Sequence, residues 1–331
     1  MSLRIIKPGL LTSIQDLGRK GFQQHGVIVS GAMDGYSLRI ANMLVGNPEG
    51  EAALEITLMG PTIEMDKNCL IAITGANLTP TIDNQAAPMW KPILVRKGAT
   101  LRFEGCKSGC RSYLSVAGGY DIPKVMDSKS TYLRAGIGGY LGRALKAGDI
   151  LTCNESSAPM GGQELKGAFL SPKWFVNEKE FMPDRKPLIR FIAGSQYDQF
   201  MNASKQSFEE HAFKVSNQSD RMGYRISGPG LEWENDVELL SEAVTNGSIQ
   251  VPPDGNPIIL LADSQTTGGY PKIAQVITAD LSMIAQIKPG ESIQFSRVTL
   301  REAERLYLQK EREMKELQTS ISLALKNGPF T

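Results

Sequence analysis

The chain has 331 residues, 41% of them hydrophobic and 21% charged, which suits a globular protein with material for two domains. Its 36 Lys and Arg against 35 Asp and Glu leave a formal charge of +1, so no strong field gathers phosphates or anionic lipid, and nucleic acid is excluded as a main partner. Uninterrupted apolar runs stop at five residues, Cys69–Ile73 and Ile258–Ala262, against the roughly 20 that a membrane span needs.

Met1 to Lys7 carries no apolar core of the kind a secretory leader uses, so the expected location is the cytoplasm. There, Cys69, Cys106, Cys110 and Cys153, with no C-x-x-C among them, read as reduced thiols, with redox activity of Cys106 and Cys110 as the alternative. His25 and His211 have no second histidine at ligand spacing, and no metal site is expected.

The first polar segments, Gln15–Arg19 and Ser30–Asp34, surround His25 in a turn-rich stretch; His25 is either a general base or a structural residue. Asp34 is placed to cap a helix over about 35–45 that stops at Gly46. Gly and Pro then punctuate short apolar stretches, which predicts a mainly β protein. The expected strands include 70–74, 93–95, 100–103 and 113–116, several apolar throughout as strands buried on both faces are. Gly136–Arg143 is glycine-rich but lacks the G-K-[ST] ending of a phosphate loop.

Between 153 and 187 the strand rhythm lapses and Ser156, Ser157, Pro159, Gly161, Gly162, Pro172, Pro183 and Pro187 accumulate, as in a connecting segment. This divides the chain into an N-terminal domain (1–152), a linker (153–187) and a C-terminal domain (188–331). Further strands are expected at 188–192, 258–262, 275–278 and 292–295. The last element is a helix from Leu300 to about Leu325, opened by a Thr299–Glu302 capping box, with Ala303, Tyr307, Met314, Leu317 and Ile321 as its apolar stripe.

The densest polar constellation is Ile249–Lys272. An apolar strand delivers Asp263, Gln265, Thr266, Thr267 and Lys272 at its end, where Gly268 and Gly269 allow a ligand close to the backbone. Asp263 suits proton transfer or Mg²⁺, the threonines suit an oxyanion, and Lys272 suits a carboxylate or phosphate; a polar turn capping a hairpin is the plain alternative. Arg221 and Arg225 flank a glycine and suit either an anion grip or an Asp–Arg pair closing a turn. The G-G-Y turns at 118–120 and 268–270, each followed by a K-x-G-[DE] turn, are either a trace of internal duplication or coincidence.

Several long motifs occur in order: K-P-G-L-L-T-S-I-Q-D-L-G-R at 7–19, S-G-A-M-D at 30–34, A-N-M-L-V-G-N at 41–47, L-E-I-T-L-M-G-P at 54–61 and I-T-G-A at 73–76. In the second half, S-D-R-M-G-Y-R at 219–225, I-Q-V-P-P-D-G-N-P-I-I-L-L-A-D at 249–263 and Q-T-T-G-G-Y-P-K-I-A at 265–274 continue the series. Together they resemble the biotin-dependent carboxyltransferase, or allophanate hydrolase subunit 2, family.

The resemblance implies two cyclophilin-like β-barrel domains. It also implies partners: stand-alone members join a KipI-like B subunit, together with an A subunit, in an ATP-dependent 5-oxoprolinase that opens 5-oxoproline to glutamate, with ATP and Mg as cofactors of the complex. The alternatives are antagonism of a KipI-like histidine-kinase inhibitor, or a carboxyltransferase role of the urea carboxylase kind. No A-M-K-M motif for covalent biotin occurs. On this reading Asp263, Thr266 and Lys272 are the expected catalytic groups, and Arg221, Arg225, Gln250, Gln265, Thr267, Gly269 and Tyr270 the expected substrate contacts.

Overall fold

A computed structural model describes residues 1–155, 165–182, 187–234 and 239–327. Ser156, Ser157, Pro159, Gly161, Gly162 and Pro183, on which the linker expectation draws, lie outside the described residues. The fold is mainly β, and among the described residues no helix is long and apolar enough to cross a membrane. The chain forms two compact units, residues 1–19, 30–182 and 314–331 in the first, 20–29 and 183–313 in the second. The described part of the expected linker contributes to the first unit, because Phe169–Leu170 pairs with Pro92–Val95 and Val176 and Phe181 enter its apolar core.

Among the described residues the first unit has twelve strands: β1 (Ser2–Lys7), β2 (Leu11–Gln15), β3 (Ala53–Thr57), β4 (Thr62–Met65), β5 (Cys69–Asn77), β6 (Pro80–Ile82), β7 (Gln85–Ala86), β8 (Pro92–Val95), β9 (Thr100–Phe103), β10 (Ser108–Val116), β11 (Ile150–Thr152) and β12 (Phe169–Leu170). They form two six-stranded sheets, β11-β1-β4-β9-β6-β7 and β12-β8-β5-β10-β3-β2. The sheets share one apolar core, to which β1 gives Leu3 and Ile5, β4 Ile63 and β5 Ile71 and Ile73.

The unbroken apolar run of β5 has a direct cause. Its side chains alternate: Ile71 and Ile73 enter the core between the sheets, while Leu70 and Ala72 face a second layer containing Ile40, Met43 and Leu44 of α1 (Gly35–Leu44). Asp34 caps α1 by accepting from the Ser37 amide at 3.0 Å, and Gly46 follows it in the left-handed region at φ 77°.

The second unit holds β13 (Leu188–Ala193), β14 (Phe213–Val215), β15 (Gly223–Ser227), β16 (Glu242–Ala243), β17 (Ser248–Gln250), β18 (Ile258–Leu260), β19 (Thr267–Gly268), β20 (Lys272–Val276) and β21 (Ser292–Arg297), with α2 (Asn202–Glu210) and α3 (Leu281–Ala285). Seven strands close a barrel in the order β13-β20-β17-β18-β15-β14-β21, and β16 and β19 form a separate ribbon. Phe191, Phe208, Phe213 and Phe295 pack together, with the Phe208 and Phe295 rings 4.4 Å apart.

The expected strand at 275–278 is placed earlier. It begins at Lys272 and ends at Val276, and Thr278 opens a 3₁₀ turn leading to α3.

The last helix, α4 (Leu300–Lys326), has the expected cap: the Glu302 amide donates to Thr299 Oγ1 at 3.2 Å. Met314 and Ile321 are buried in the first unit's second layer, with Leu317 and Leu325 against it. Tyr307, expected in the stripe, is 41% exposed. A two-turn charged stretch surrounds it, and the apolar spacing becomes regular only from Met314 onward.

Candidate functional site

Strand register gathers polar groups at one end of the barrel. Gln250 of β17 lies opposite Lys272 of β20. The Lys272 amide donates to Gln196 Oε1 at 3.0 Å, and the Gln250 side-chain amide donates to the Tyr270 carbonyl at 3.3 Å. Gly268 packs beside them, where a Cβ would lie 2.5 Å from Gln250 Nε2 and would have to move that side chain. The Lys272 ammonium donates to Glu242 Oε2 at 2.6 Å. The Lys272 side chain is 11% exposed, whereas that of Glu242 is 52% exposed. This hydrogen bond, with the charge behind it, holds the Glu242 carboxyl below its ordinary range. Gly269 and Tyr270 line an adjoining cavity of about 810 Å³, with Trp233, Leu231 and Pro252 among its other walls.

Asp263 is not part of this group. β18 runs from Ile258, opposite Gln250, to Leu260, and Asp263 lies three residues farther on, at the other end of the strand from Lys272. There Arg221 Nε and Nη2 meet Asp263 Oδ2 and Oδ1 at 2.8 and 3.0 Å, and the Asp263 amide donates to the Arg221 carbonyl at 2.9 Å. Both side chains are about 5% exposed, so the pair is a buried clasp between the ends of β15 and β18. The structure thus places Asp263 and Arg221, expected as an acid and an anion grip, against each other in an ion pair.

The other expected residues disperse. The Thr266 carbonyl accepts from the Val244 amide at 3.0 Å, and Thr267 belongs to the ribbon, opposite Ala243. Gln265 and Thr267 are exposed, and Arg225 points outward from β15 between buried Tyr224 and Ile226. His25 is exposed in a short 3₁₀ turn. Thus Lys272, Gln250, Gly269 and Tyr270 converge, Asp263 and Arg221 lie at the other end of β18, and Arg225 is exposed in the register row of Gln250, two strands away. Glu242 and Gln196, which no motif marks, complete the group; they lie 30 and 76 residues from Lys272, and only barrel closure reveals them.

The first unit holds a second polar constellation. Asp16, 7% exposed, accepts at Oδ1 from the Gly18 amide at 2.8 Å and Ser128 Oγ at 2.7 Å, and from Ser130 Oγ; Oδ2 accepts from the Lys129 amide at 2.6 Å. Fully buried Arg19 donates through Nη2 to the Ser130 carbonyl. Gly138 and Gly139 pack so closely here that a Cβ would fall 2.1 Å from the Ser130 carbonyl oxygen and 1.8 Å from Thr131 Oγ1. Gly138 and Gly139 of the glycine-rich segment therefore pack against protein. Ser128 and Lys129 are more than 110 residues from Asp16, and the Q-D-L-G-R motif that contains Asp16 is the one signal of this cluster in the sequence.

The carboxyltransferase domain, subdomain A and B, matches residues 25–297 of the chain. The chain is 42% identical over 301 residues to the 5-oxoprolinase C subunit of Escherichia coli (strain K12), covering 91% of this chain and 93% of that protein. It is 40% identical over 296 residues to the 5-oxoprolinase C subunit of Haemophilus influenzae, covering 89% and 90%. Among solved structures it is similar to the Kluyveromyces lactis urea carboxylase, with a TM-score of 0.85 and 30% identity, over 96% of this chain and 29% of that one. On a match that takes in both units, the chain belongs to the carboxyltransferase domain family of subdomains A and B.

Proposed function

We propose that this chain is the C subunit of a 5-oxoprolinase and works with KipI-like B and A subunits to open 5-oxoproline to glutamate at the expense of ATP. The observation that carries the reading is coverage. The chain matches 93% of a relative that bears that name, against 29% of the urea carboxylase. The substrate is a carboxylate with a lactam, and Lys272 is a cation suited to its charge. Among the described residues no group of three His, Cys, Asp or Glu is arranged for a metal, and Gly138 and Gly139 pack against Ser130 and Thr131. ATP and Mg are assigned to the assembled complex.

The test is ATP turnover with and without 5-oxoproline for this chain alone, for the chain with the B subunit, and for all three subunits. The expected result is no substrate-dependent turnover alone, and glutamate and ADP in equal amounts from the trio. Substrate-dependent turnover by the chain alone refutes the shared mechanism. An inert trio in which this chain still binds its KipI-like partner tightly refutes the metabolic reading and leaves antagonism of that partner.

A further inference from the structure

A nearly buried ammonium is stabilised by an anionic partner, because stripping its water without one costs more than a neutral hydrogen bond returns. Lys272 meets that need with Glu242 at 2.6 Å. The two partners are unequally placed: the lysine side chain is 11% exposed and anchored on a barrel strand, while the carboxylate is 52% exposed. Glu242 is carried by a ribbon of two register pairs, Glu242 with Gly268 and Ala243 with Thr267, outside the closed barrel. Gln196 lies beside the pair, its Oε1 accepting the Lys272 amide at 3.0 Å. The fixed part of this arrangement, an ammonium on a barrel strand, is what a carboxylate ligand requires; the part on the ribbon is itself a carboxylate.

We propose that Glu242 is an internal stand-in for an anionic ligand, holding the Lys272 site charged and ordered until a ligand carboxylate displaces it. The inference rests on the reading of Lys272 as the substrate's cation, and adds that the site is built for an oxyanion and is self-occupied when empty. Displacement exchanges one carboxylate for another on the same ammonium, so no proton or bond changes hands. It follows that Glu242 competes with the ligand. Removing its charge strengthens anion binding, the opposite of what removal of a substrate contact does.

The experiment is calorimetric titration of the whole chain, without partner subunits, using 5-oxoproline, its neutral amide and inorganic phosphate. Glu242→Gln is expected to bind 5-oxoproline at least about tenfold more tightly than the unaltered chain, the scale of one charge-assisted hydrogen bond. It should also gain more thermal stability from the ligand, while the neutral amide stays weak for both. Lys272→Met should abolish binding in either background. Tighter binding of 5-oxoproline than of phosphate supports a carboxylate as the displacing ligand, and a preference for phosphate overturns that assignment. Unchanged or weaker anion binding in Glu242→Gln overturns displacement itself, as does binding that survives Lys272→Met. Since turnover is not the readout, an inert trio with tighter binding by Glu242→Gln refutes the assigned reaction and leaves the stand-in intact.

Discussion

Single residues show how environment reassigns a side chain. Asp263, which sequence chemistry marks as an acid or metal ligand, spends both oxygens on Arg221. Breaking a buried pair leaves an uncompensated charge and costs about 3–5 kcal/mol, whereas replacing both partners by apolar groups is nearly neutral. Asp263→Asn should therefore lower stability in urea by about that amount, and Arg221→Met with Asp263→Leu should cost much less; equal losses would place the role of Asp263 elsewhere. Cys69 and Cys153 show the same influence in their thiols. Burial pushes both up to about 12 from an ordinary 9.0. Because the fold keeps the neutral form, the stability they supply is whole below about pH 9 and is lost as pH rises towards 12. Iodoacetamide at pH 8 should leave both unmodified in the native chain and alkylate both in denaturant, with native labelling confined to Cys106, the one cysteine that is not buried.

At the scale of elements, α4 is two kinds of helix in one. Its first turns are charged and exposed, and its apolar stripe begins at Met314. Most helical stability comes from packing an amphipathic face, so Met314, fully buried, should matter more than any exposed position upstream. Met314→Ala is expected to cost about 2–5 kcal/mol by urea denaturation, while Leu308→Ala, at a position 61% exposed, should change stability little. The capping box is legible in the sequence because it is a contact between residues three apart. The exposure of Tyr307 is not, because spacing alone does not say where along a helix its neighbour begins.

For the whole molecule, the two units interleave along the chain: residues 314–331 belong with the first unit and residues 20–29 with the second. Cutting the chain at its apparent midpoint therefore leaves incomplete cores. A fragment of residues 1–182 lacks Met314 and Ile321 and leaves Ile40, Met43, Leu70 and Trp90 without that cover. It should bind a hydrophobic dye and unfold with low cooperativity, and a peptide of residues 299–327 should restore a sharp transition; a fragment that melts like the whole chain would show that the helix adds nothing to that core.

By itself the sequence determined the mainly β character, the caps of α1 and α4, the doubly buried course of β5 and the family, because each rests on local periodicity or on motifs read in order. Tertiary structure alone decided which polar residues meet. A strand advances about 3.3 Å per residue, so Asp263 and Lys272, neighbours in the sequence, are carried to opposite ends of β18. Register across β17 and β20 sets Gln250 against Lys272, and the β16–β19 ribbon brings in Glu242. Asp16 reaches its donors at Ser128, Lys129 and Ser130 only when distant loops close on the end of β2. Hydrogen bonding between strands is indifferent to separation along the chain, and that indifference is why the fold can be read from the sequence when its site cannot.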